Sequence, residues 1–176
     1  MSNWFYYAVI SFFVLSNVIT EFINRKALPP FRNPLSAYLT EVKWFQLQDA
    51  GYLILAFSLP AMGWYLGGLW PEILMSLSGV ALVSVVITKL VIHYGNVNQF
   101  IVGDLEKVHV GSAGVAFASI TVALLIHSWL TPTFPFICAL LAPLSAAAFA
   151  RFAPNKTPLE EKCYTFFLLI ALISSL

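Results

Sequence analysis

Six long apolar runs separated by short polar segments make up most of the chain, over residues 3–23, 47–69, 72–94, 105–128, 134–152 and 158–176. Each approaches the length of about 20 residues that a helix needs to cross the hydrocarbon core of a bilayer, so the pattern predicts six transmembrane helices. The polar residues inside the first run, Asn17, Thr20, Glu21 and Asn24, recur at three- and four-residue intervals, which places them on one stripe of a helix. Polar groups facing lipid are costly, so this stripe is expected to face the bundle interior. The first run has no basic leader and no small-residue cleavage site, and it reads as a retained helix rather than a removed signal peptide.

Charge then gives the runs a direction. All nine lysines and arginines lie in, or at the edge of, alternate connections: Arg25, Lys26, Arg32 and Lys43 in the first, Lys89 and Lys107 around the third, Arg151, Lys156 and Lys162 around the fifth. Of the eight carboxylates only Glu72 belongs to the other side. Cytoplasmic loops retain the cations, so the alternation predicts an inner-membrane protein with both termini outside the cytoplasm. Composition agrees, since a chain 60% hydrophobic and 10% charged has too little polar surface to cover a soluble core. A net charge of +1 excludes the basic excess of a nucleic-acid binder. Cys138 and Cys163 fall at opposite ends of the last two helices and imply neither a disulfide nor a metal motif.

Capping chemistry marks several helix starts on the basic side. Thr157-Pro158-Leu159-Glu160 is a capping box that opens the sixth helix, and Asp104, with Glu106 in the following turn, is placed to cap the fourth. Asn33-Pro34 precedes Leu35, Tyr38, Leu39, Val42 and Phe45 at helical spacing, which predicts a short amphipathic helix at the membrane surface. The second and fourth connections are short and carry Trp70 and Trp129, so helices two and three, and four and five, are expected to form hairpins. No internal repeat or linker divides the chain, and residues 1–176 read as one all-α membrane bundle. Gly63 and Gly67 favour close packing. So does the run Gly111, Ser112, Ala113, Gly114, Ala116, Ala118 and Ser119, which predicts a central fourth helix packed on its small residues or bearing a substrate groove.

The segment Asn33-Pro34-Leu35-Ser36-Ala37-Tyr38, followed by an apolar helix beginning Asp49-Ala50-Gly51-Tyr52, resembles the opening of the bacterial and archaeal domain-of-unknown-function 998 family. Phe100-Ile101-Val102-Gly103-Asp104, with His109 five residues on, and the pair Glu161-Lys162 extend the resemblance over most of the chain. It implies a six-helix membrane fold and brings no activity with it.

Function has to be read from polar residues near the basic side. Glu21 either pairs with Arg25 one turn away or lines a pocket with Asn17. His109 lies in a small-residue helix at a depth similar to Glu21 and Asp49, where it either bonds a neighbouring helix or acts as a base, with Asp104 as its orienting partner. Lys89 and His93 are one turn apart; Lys89 either lifts its ammonium to the headgroups or joins His93 in an anion site. His127 is expected at the opposite interface.

Three classes stay open. The first, and the one favoured, is a pocket for an amphipathic or lipid-like ligand, drawing on Asn17, Glu21, Ser36, Tyr38, Asp49, Lys89 and His93, with membrane lipids as partners. The second is an intramembrane hydrolase or acyltransferase using His109, Asp104 and Glu21 with a hydroxyl from Ser36, Tyr38 or Thr40. The third is a haem or metal subunit ligated by His93 and His109. No nucleophile motif, metal spacing or phosphate loop is present, and no cofactor is identified. A second copy of the chain or another membrane protein is a further candidate partner.

Overall fold

The computed structural model describes residues 3–26, 45–95, 99–129, 134–152 and 157–176, and every regular element within them is an α-helix. In chain order these are α1 (Asn3–Asn24), α2 (Phe45–Leu66), α3 (Leu69–Tyr94), α4 (Gln99–Ser128), α5 (Phe134–Phe152) and α6 (Thr157–Ser175). Three are long and apolar enough to cross a membrane by length and composition: α1, α3 and α4 from Ile101 onward. α2 and α6 open on polar residues, Gln46, Gln48 and Asp49 in one and Glu161 and Lys162 in the other, which dilutes their apolar character. The amphipathic helix expected after Asn33, with Ser36, Tyr38 and Thr40, lies outside the described residues.

The helices are arranged with their polar faces inward. On α1, Asn17, Thr20 and Asn24 are buried while Phe22, Val18 and Leu15 are exposed. The buried polar groups are satisfied first by their own helix: Asn17 Nδ2 donates to Phe13 O at 2.8 Å, Thr20 Oγ1 to Ser16 O at 2.8 Å and Asn24 Nδ2 to Thr20 O at 2.7 Å. Such a surface, apolar outside and polar within, is the reverse of a water-soluble helix bundle.

Successive helices pack side by side, with α3 on α4 the broadest pairing, then α2 on α3 and α5 on α6. α2 and α3 are joined by a turn in which Gly67 and Gly68 take φ of 76° and 90°, left-handed values open to glycine at little cost. Gly67 therefore serves the turn and not the packing expected of it. Gly63 does pack: a Cβ there would crowd Pro71 O and Glu72 Cα at 2.9 Å. α3 and α4 are linked where Ser78 Oγ donates to Ala116 O at 2.9 Å. Tyr164 of α6 meets Thr121 of α4 hydroxyl to hydroxyl at 2.5 Å. The core between them holds Leu59, Met62, Met75, Leu82, Leu124 and Leu172, all nearly inaccessible.

Two expectations for α4 are corrected. The helix starts at Gln99, so Asp104 and Glu106 sit inside it rather than at its cap, because nothing in Phe100-Ile101-Val102 interrupts a helix. Its small residues also divide: Ala116 and Ser119 are buried, but Gly111 and Gly114 are exposed and a Cβ on either would meet no atom within 4 Å. The sixth helix, expected from Pro158 behind a Thr157 cap, begins at Thr157.

Candidate functional site

The basic end of the bundle gathers its polar side chains from five helices. At its centre Lys89 Nζ of α3 lies 2.5 Å from Asp49 Oδ1 of α2, with both side chains at most 9% exposed. Lys89 thus turns inward and does not reach for the surface. The register of the antiparallel α2–α3 pair brings this about, since the same register sets Phe45 against His93, with ring centroids 4.6 Å apart. Phe45 also stands over the ammonium, its centroid 5.3 Å from Lys89 Nζ. His93 packs on Phe45 and Tyr94.

Burying an ion pair is tolerable only when the remaining donors and acceptors are also satisfied. Here one is not. Asp49 Oδ2 is buried and has no hydrogen-bond partner, the one such side-chain atom among the described residues. The charged and titratable groups that act on Asp49 are Lys89, His109 and His93.

His109 of α4 is buried, and its Nδ1 lies 3.1 Å from Val85 O of α3. A carbonyl only accepts, so Nδ1 carries the proton and a neutral ring keeps its lone pair on Nε2. Thr88 Oγ1, 3.4 Å from the same Nδ1, donates to Ser84 O at 2.8 Å or Val85 O at 3.0 Å. Thr88 therefore faces an N–H rather than a base. Asp104 is remote from this arrangement: it is exposed and pairs with Lys107 at 2.9 Å, on a different face of α4 from His109. The Asp104–His109 pairing raised by the sequence is not formed.

Asn17 and Glu21 stand on the α1 side. Asn17 Oδ1 accepts from Gln48 Nε2 at 2.9 Å, which ties α1 to the residue preceding Asp49. Glu21 pairs with Lys162 of α6 at 2.8 Å, each side chain 18% exposed, and not with Arg25, whose guanidinium lies over the Phe22 ring at 4.0 Å. Tyr52, packed edge-on against Phe13 at 5.0 Å, lies between these groups, with Glu161, Asp49 and Glu21 as its nearest acidic neighbours.

Asn17, Glu21, Asp49, Lys89, His93 and His109 thus occupy one end of the fold, while Ser36 and Tyr38 lie outside the described residues. Residues missed in the sequence are Gln48, Thr88, Tyr52 and Phe45; only Gln48, a second polar residue beside Asp49 at the start of an apolar run, carried a local signal. His127 is exposed near the opposite end of α4. Among the described residues no three His, Cys, Asp or Glu side chains are grouped to hold a metal ion. Cys138 and Cys163 are free thiols.

The chain matches no family model, no curated protein and no solved structure.

Proposed function

We propose that the chain is an integral inner-membrane protein of six spans with its basic end toward the cytoplasm, and that the polar cluster at this end binds the head of an amphipathic, lipid-like ligand. The observation that carries the reading is the Asp49–Lys89 pair with its unsatisfied Oδ2, set among side chains that are otherwise well bonded. Native folds leave few buried polar groups unpaired, and each one left calls for a partner or a role. The inward polar and outward apolar faces of α1 support the membrane setting, as does the position of every described lysine and arginine at one end of the bundle. Membership of the domain-of-unknown-function 998 family remains part of this proposal, and it adds a fold without an activity.

The test is lipid retention in native mass spectrometry of protein extracted in mild detergent. The expected result is bound lipid on the wild type and its loss in the double variant Asp49→Leu/Lys89→Met, which keeps the site's volume and removes both charges. Equal retention by the two proteins refutes the site; an absence of lipid on the wild type refutes the reading.

A further inference from the structure

Three ionisable side chains from three helices are buried together at the basic end: Asp49, Lys89 and His109 are 6%, 4% and 3% exposed. Burying charge without compensation is costly, and in the membrane setting proposed above such groups mark ion and proton pathways. Two separate contacts make the three neighbours. Lys89 Nζ reaches Asp49 Oδ1, and His109 Nδ1 meets Val85 O, the carbonyl that in helix α3 also takes the amide N–H of Lys89 one turn on. Thr88 Oγ1, on the residue beside Lys89, lies 3.4 Å from the same ring nitrogen. His109 and Asp49 accordingly act on each other electrostatically, and Lys89 acts on both.

The cluster holds two acceptor lone pairs beyond the Lys89 contact. An ionised Asp49, a charged Lys89 and a neutral His109 sum to zero charge. In that state Asp49 Oδ2 has no hydrogen-bond partner among the described residues, and His109, whose ring proton is held on Nδ1 by Val85 O, keeps a lone pair on Nε2. A single proton can occupy either position. It forms an O–H bond on Asp49 or a second N–H bond on His109, and the cluster then carries one positive charge. A second proton would double that charge in a buried space beside the Lys89 ammonium, so like-charge repulsion separates its uptake from that of the first.

Titratable groups face the cluster from each element packed on it. His93 of α3, half-buried and one turn nearer the basic end than Lys89, acts on Asp49. Glu106 of α4, exposed on the turn before His109, acts on that ring. Tyr52 stands one turn from Asp49 on α2 and meets the field of Glu21 of α1 and Glu161 of α6. His93 touches the Phe45 ring that stands over Lys89, which sets a second titratable ring between the pair and the basic end.

We infer that Asp49 Oδ2 and His109 Nε2, beside Lys89, form a shared site for one exchangeable proton, taken from hydronium at the basic end and returned there to water. The inference goes beyond the lipid-binding reading and does not rest on it, since the site titrates in lipid-free protein.

The experiment is an NMR titration of delipidated protein in micelles, carried down in pH over the range in which circular dichroism reports an intact fold. Aspartate occurs only at positions 49 and 104, so Asp104→Asn protein made with carboxyl-labelled aspartate reports Asp49 alone. Histidine occurs at positions 93, 109 and 127; His93→Gln and His127→Gln, taken singly, assign two ring signals and leave the third to His109. The Asp49 carboxyl and the His109 ring are expected to shift at one common midpoint, each with a fractional amplitude, the two fractions summing to one proton. In His109→Gln the Asp49 amplitude is expected to rise from a fraction to a whole proton. The common midpoint in the unaltered site decides the matter even where that variant does not fold. Signals that stay fixed over the whole folded range overturn the proton site. Whole-proton steps at separate midpoints, or a whole step at one residue and none at the other, overturn the sharing. Failure of lipid retention leaves these signals as they are, so the two readings fail separately.

Discussion

Gly79 of α3 rests against the main-chain carbonyl of Ala56 in α2: a Cβ on Gly79 would lie 2.5 Å from that oxygen. Ala56 is the residue whose helical hydrogen-bond partner four positions on is Pro60, which has no N–H to give. The α-hydrogen of Gly79 that stands where a Cβ would be points at the carbonyl the proline leaves open, an arrangement that lets a Cα–H···O contact offset part of the loss. Proline in α2 and glycine in α3 are thus two halves of one helix contact.

This contact predicts a contrast between glycines. Gly79→Ala forces the helices apart and is expected to cost about 1–3 kcal/mol, as overpacking does elsewhere. Gly111→Ala meets open space and is expected to be neutral or to stabilise by up to about 1 kcal/mol through helix propensity alone. Unfolding of both variants in mixed micelles measures the difference; equal effects would dismiss the close approach as the reason for Gly79.

The buried pair predicts strong non-additivity. Lys89→Met strands the Asp49 carboxylate and is expected to destabilise by about 3–5 kcal/mol, whereas Asp49→Leu/Lys89→Met recovers most of that loss. A double-mutant cycle on unfolding reads the coupling, and simple additivity of the two single variants would contradict the pair.

Glu21 offers a choice between two cations. The structure places its partner on α6, so Glu21→Gln and Lys162→Met are expected to couple by up to about 1 kcal/mol, with partial exposure keeping the value small. Glu21→Gln and Arg25→Met are expected to add without coupling. Finding the reverse would restore the local one-turn pair.

Bonds between helices are expected to be individually modest. Removing the Ser78 hydroxyl from Ala116 O by Ser78→Ala, or the Tyr164 hydroxyl from Thr121 by Tyr164→Phe, should each cost about 0.6–1.7 kcal/mol. A much larger loss in unfolding experiments would mean that the side chain does more than bridge the two helices.

How much of the site was legible depends on the range of the interaction. The α1 stripe was readable because helical spacing alone puts Asn17, Thr20 and Asn24 on one face, and burial of that face followed. Lys89 was not, because a lysine near a helix end has two stable fates, and the choice between them rests on whether a carboxylate arrives from another helix. Glu21 shows the same limit: Arg25 is its neighbour in sequence, yet Lys162 is its neighbour across the bundle. Asp104 was misplaced for a local reason, since a good capping residue does not start a helix when the residues before it are equally able to continue one.

Apolar length and helical periodicity therefore determined that the chain is a set of helices, roughly where each lies, and which residues sit at the basic end, because these depend on composition within one segment. The tertiary structure decided which of those residues meet. Asp49 with Lys89, Gln48 with Asn17, Glu21 with Lys162 and Gly79 with Ala56 are set by the register between packed helices, and a shift of one turn, about 5.4 Å, would exchange every partner.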